Sequence, residues 1–108
     1  MKAAEMTAMQ KMIFKAIKEH YKNTENDFLT DEKPLEFITM YASPKRETVT
    51  CYDGTTLTHY EAITRKPAKK YDFNATVWDV CIYSDGRIGI YYDGYADVKD
   101  GMVTYICR

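Results

Sequence analysis

The sequence predicts an α+β fold: one amphipathic helix packed on an antiparallel sheet of four to six strands joined by Asp-Gly hairpins. Two observations carry this expectation. Apolar residues recur with helical period between residues 5 and 22, and four Asp-Gly dipeptides punctuate β-rich runs after residue 47. At 108 residues the chain suits one domain spanning 1–108, and that length buries enough surface to fold without disulfides or metal.

The helix comes first. In residues 5–22, Met6, Met9, Met12, Ile13, Phe14, Ala16, Ile17 and Tyr21 share one broad arc, while Lys11, Lys15, Lys18 and Lys22 lie opposite. An arc this wide suits packing across a sheet, against Trp78, Val80 and Ile82. The polar run Asn23-Thr24-Glu25-Asn26-Asp27 ends it.

Residues 28–43 carry two signals. Thr30-Asp31-Glu32 before Pro34 resembles a helix start, whereas Phe37 to Tyr41 has strand composition. The reading taken is a short helix. Asp53-Gly54 then joins a strand at 47–52 to one at 55–59, and Thr58-x-x-Glu61 suggests a capping box that turns 59–65 into a short helix. Arg65 to Lys70 reads as a basic loop.

The hairpin at Asp85-Gly86 joins 76–83 to 87–92. A two-residue loop there pairs Cys81 with Ile90 and Asp79 with Tyr92, and sets Gly89 opposite Ile82 as a hollow for the helix. Residues 102–107 form a last strand beside 87–92.

Composition narrows the function. Fifteen basic against 16 acidic residues give a net charge of −1, unlike a dedicated duplex-DNA binder. The charge is uneven: +3 over residues 1–22, −3 over 23–47, +2 over 48–71 and −3 over 72–108. No 18-residue apolar stretch predicts a membrane span, and the lysines interrupt any leader-like run. Cys51, Cys81 and Cys107 form no Cys-x-x-Cys pair and read as reduced thiols, so a cytoplasmic location is expected.

Catalytic and metal patterns are weak. A Cys51–His59 dyad places its members on opposite faces of the first hairpin. Asp93 to Asp100 offers three carboxylates without the spacing of a calcium loop. Asp79, mid-strand between Trp78 and Val80, is the acid to watch, with Tyr92 as its expected neighbour. There is no phosphate-cradling glycine motif. No cofactor, no metal and no enzymatic activity are expected.

The excess of tyrosine, 10 against 4 Phe and 1 Trp, points to a binding surface. Tyr buries a large area at low entropic cost and keeps a polar tip. Tyr83, Asp85, Tyr91, Tyr92, Asp93, Tyr95 and Asp97 are the expected protein-binding residues, with Asp100 completing an acidic rim. The expected function is a small non-enzymatic module that occupies a larger partner with a basic surface. A small inhibitor or accessory factor of a phage or mobile element is the expected kind of module. Edge-to-edge pairing into a homodimer is a variant of that reading. The alternative is nucleic-acid binding through Lys11, Lys15, Lys18, Lys22, Arg65, Lys66, Lys69 and Lys70.

Overall fold

The computed structural model describes residues 3–24, 35–65 and 75–108. A 3-10 turn at Ala3–Glu5 leads into helix α1, Ala8–Thr24. Its start is fixed by a reciprocal cap: Gln10 N donates to Thr7 Oγ1 at 3.1 Å, and Thr7 N donates to Gln10 Oε1 at 2.9 Å. Two otherwise unpaired backbone donors are thereby satisfied. The strands are β1 Glu36–Ala42, β2 Val49–Thr50, β3 Thr56–Arg65, β4 Ala75–Tyr83, β5 Ile88–Lys99 and β6 Met102–Cys107. All pairings are antiparallel, in the order β1-β3-β4-β5-β6, with β2 on the end of β3. The architecture is α+β, one helix on an antiparallel sheet.

Each face of the sheet holds its own apolar cluster. Ile13 and Ile17 of α1, with Met6 just before it, pack on Leu35, Phe37, Ala62, Trp78 and Val80, with Ile82, Ile88 and Ile90 at the margin. Trp78 keeps its indole N–H satisfied by donating to Thr64 Oγ1 at 2.9 Å. The helix buries a narrower stripe than its sequence arc: Met9 and Met12 are 39% and 44% exposed. The opposite face holds Ile38, Ile63, Ala75, Val77, Ala96 and Val98, flanked by Tyr41, Val103 and Ile106. Residues of β1 and β6 both reach this second cluster, so the sheet curls around it.

Three bulges produce the curl. Ile38 is the extra residue of β1 against β3, Asp93 of β5 against β4, and Thr104 of β6 against β5. A bulge bends its strand and increases local twist.

Several expectations are corrected. Residues 36–42 are a strand, because pairing with β3 wins over the helix-start signal; 25–34 lie outside the described residues. Residues 59–65 are strand too, held between β1 and β4. The turn between β4 and β5 has three residues, Ser84 to Gly86: Tyr83 N donates to Arg87 O, and only Gly86 takes positive φ, at 96°. That shifts the register by one. Asp79 pairs with Tyr91 rather than Tyr92, and Gly89 pairs with Cys81. Gly89 therefore lies on the face away from α1, where the Tyr91 ring lies back over it. Asp93-Gly94 is no turn but the bulge inside β5, so β6 pairs with 95–99 and not 87–92. Asp100-Gly101 does form a two-residue turn, with φ of 55° and 76°.

Candidate functional site

Among the described residues, the curled face gathers a cluster of buried and half-buried ionisable side chains. Alternation along β3 places His59 and Glu61 on that face, and along β4 Asp79 and Cys81. Register sets His59 opposite Cys81 and Glu61 opposite Asp79. Asp93 joins them through the β5 bulge. Arg46, from the segment between β1 and β2, reaches Asp79 Oδ2 at 2.6 Å and lies 3.9 Å from Asp93. Arg108, following β6, binds Glu61 through two donors and lies 3.7 Å from Asp93 Oδ2. Tyr41 of β1 donates to Glu61 Oε2 at 2.7 Å.

Burial makes these contacts consequential. Glu61 is 1% exposed. Burial pushes its carboxyl up, but hydrogen bonds from Arg108 and Tyr41 outweigh that and hold it below the ordinary value. The Tyr41 phenol is pushed up to about 12, first by burial and then by its bond to the Glu61 carboxylate. Burial, reinforced by the Asp79 charge, also pushes the Cys81 thiol up. Cys81 is therefore a thiol and not a ready nucleophile.

His59, Asp79 and Cys81 converge. His59 Nδ1 lies 3.3 Å from Asp79 Oδ1 and 3.5 Å from Cys81 Sγ, and Sγ lies 3.9 Å from Asp79 Oδ2. A nucleophile–base–orienter relay needs the cysteine and the acid on opposite ring nitrogens. Here both meet Nδ1. The sequence comparison of Cys51 with His59 missed this trio, because β3–β4 register is not readable from the chain alone. The available signal was spacing by two on each strand: His59-x-Glu61 and Asp79-x-Cys81.

The expected tyrosine surface divides between faces. Tyr92 and Tyr95 share the α1 side of β5, with ring centroids 5.4 Å apart, and Tyr105 stands opposite Asp97 on that side. Tyr92, Tyr95 and Tyr105 are 55%, 49% and 55% exposed. Tyr91 and Asp93 belong to the curled face. Tyr83 and Asp85 lie at the β4–β5 turn, where Arg87 covers the Tyr83 ring and pairs with Asp85 at 2.8 Å. With Asp93 and Asp85 engaged by arginines, the acidic rim contracts to Asp97 and Asp100. The expected Asp79–Tyr92 contact does not form, since the two side chains take opposite faces.

Of the basic residues, Lys11, Lys15 and Lys18 are exposed along α1, and Lys22 falls in the same helix. Arg65 is held by Glu36 at 2.7 Å. Lys66, Lys69 and Lys70 lie outside the described residues. No described helix is long and apolar enough to cross a membrane.

No known family, curated protein or solved structure matches this chain.

Proposed function

We propose that the protein is a non-enzymatic, cytoplasmic binding module that acts by occupying a larger protein. The observation that carries the reading is the Tyr92, Tyr95 and Tyr105 cluster, half exposed on the paired strands β5 and β6. Rigid aromatic side chains on a sheet give contact area at low entropic cost. Asp97 and Asp100 beside them favour a partner whose apolar pocket has a basic rim. An inhibitor or accessory factor works in this way.

The test is cross-linking capture from extracts of the producing cell. Wild type is run beside the Tyr95→Ala/Tyr105→Ala variant, both checked for equal thermal unfolding. A partner held by wild type and lost by the variant supports the reading; equal capture by both overturns it. The exposed Lys11, Lys15 and Lys18 favour a second reading, nucleic-acid binding. It requires oligonucleotide affinity that falls steeply with salt.

A further inference from the structure

We propose that His59, Asp79 and Cys81 form a binding site for a zinc-class divalent metal ion, with Nδ1, Oδ1 and Sγ as ligands and water in the fourth position. This goes beyond the tyrosine surface and does not depend on it.

Geometry is the first argument. Zinc binds sulfur at about 2.3 Å, imidazole nitrogen at about 2.0 Å and carboxylate oxygen at about 2.1 Å. A tetrahedron with those arms has an N···O edge of about 3.3 Å and an N···S edge of about 3.5 Å. The observed separations are 3.3 Å and 3.5 Å. All three ligand atoms lie within 4.8 Å of one another. Convergence on a single point defeats a catalytic relay and is what a metal requires.

Support around the ligands is the second argument. Arg46 holds Asp79 Oδ2 at 2.6 Å, which leaves Oδ1 to face His59 Nδ1 at 3.3 Å. A hydrogen-bonded outer oxygen of this kind orients metal-ligating carboxylates. The ligands sit on two central, paired strands, so binding needs little ordering of backbone. Charge also closes. Metal entry displaces the Cys81 thiol proton to solvent and leaves a thiolate. The thiolate, Asp79 and Asp93 then balance Arg46 and the divalent ion. The donor set of thiolate, imidazole and carboxylate selects zinc over magnesium or calcium, which prefer oxygen alone.

The test uses chelator-treated, reduced protein and Co²⁺ as the spectroscopic probe. One equivalent should give the intense visible bands of tetrahedral cobalt and a thiolate-to-cobalt charge-transfer band, both erased by Zn²⁺. The Cys51→Ser/Cys107→Ser variant should keep these bands. Cys81→Ser should lose the charge-transfer band and bind Zn²⁺ weaker by more than the about 10–100-fold that loss of an outer-shell partner costs. X-ray absorption of the zinc-loaded wild type needs no variant to fold: it should report one sulfur at about 2.3 Å among nitrogen and oxygen neighbours. Absence of that sulfur, or a charge-transfer band that survives in Cys81→Ser, overturns the site.

Discussion

Arg108 grips Glu61 through two parallel donors, Nε to Oε1 at 3.0 Å and Nη2 to Oε2, although β4 and β5 lie between their strands in the sheet order. Only a curled sheet brings them together. The pair therefore acts as a clasp across the concave face, from the residue after β6 to the middle of β3. Paired planar donors of this kind fix orientation as well as charge.

Loss of the clasp should be costly, because it strands a carboxylate that is 1% exposed. Arg108→Ala is expected to destabilise by about 3–5 kcal/mol, the range for breaking a buried pair from one side. Arg108→Lys should recover part of it, and the Glu61→Leu/Arg108→Ala double variant should recover more than either single change predicts. Urea unfolding measures all three. A cost for Arg108→Ala within about 0.5 kcal/mol, the range of ordinary surface changes, means that the clasp does not hold the curl.

The same carboxylate predicts an acid limb. Glu61 sits below its ordinary value of 4.5 in the folded chain, so the folded state binds its proton less tightly than the unfolded state does. Its stabilising contribution is present above the unfolded value and is lost as pH falls through the folded one. Thermal unfolding should show a decline below pH 4.5 that is smaller in Glu61→Gln. An unchanged acid limb in that variant assigns the decline to other carboxylates.

Much of the fold was readable, and the failures have physical causes. The helix is legible because Met6, Ile13 and Ile17 obey one period, whatever Met9 and Met12 do. Strand β1 was misread because Thr30-Asp31-Glu32 is a local signal, whereas the pairing of Phe37 to Tyr41 with β3 is a tertiary one. Asp-Gly serves two-residue turns, three-residue turns and bulges alike. Asp100-Gly101, Asp85-Gly86 and Asp93-Gly94 show one of each, so register could not follow from the dipeptide. The one-residue slip at Asp85-Gly86 then misassigned the partner of Asp79. The tyrosine excess located real exposed rings but not their division between faces. The His59, Asp79 and Cys81 trio depended on pairing across a connection that no local pattern specifies.

Tyrosine titration gives an alkaline counterpart. Tyr41 and Tyr92 are both pushed up to about 12, the first mainly by burial beside Glu61, the second by the partial desolvation of a half-exposed ring and its hydrogen bond with Tyr95. Their folded values lie above the ordinary 10.0, so the stability they contribute is present below 10.0 and is lost as pH rises toward 12. Phenolate absorbance should show a late-titrating fraction, reduced in Tyr41→Phe and further reduced in Tyr41→Phe/Tyr92→Phe. If the late fraction survives both changes, other rings account for it.

Thiol reactivity should rank the three cysteines. Cys107 is exposed, Cys51 intermediate and Cys81 buried, with its thiol raised by burial and by Asp79. Iodoacetamide at neutral pH should therefore modify Cys107 first and Cys81 last in metal-free protein, because thiolate fraction and access both govern the rate. Peptide mapping over time reads the order, and denaturant should bring the three rates together. Early modification of Cys81 in the folded chain would mean that the curled face opens readily or that the thiol is activated.

Gly94 tests how tightly β6 closes on β5. A Cβ at this position would meet the backbone oxygen of Cys107 and stand 2.9 Å from Arg108 Cα. Backbone cannot swing away as a side-chain tip does, so Gly94→Ala must push the end of β6 outward. Overpacking of this kind costs about 1–3 kcal/mol. The displacement falls beside the residue that grips Glu61, so the substitution should also loosen the clasp. Gly94→Ala and Arg108→Ala should then be less than additive in urea unfolding, because part of the second loss has already occurred. Gly54→Ala supplies the control: it has positive φ at 87° but open space around it. Its cost should be about 1 kcal/mol of backbone strain, fully additive with Arg108→Ala. Full additivity for Gly94→Ala as well would separate the close approach at Cys107 from the position of Arg108.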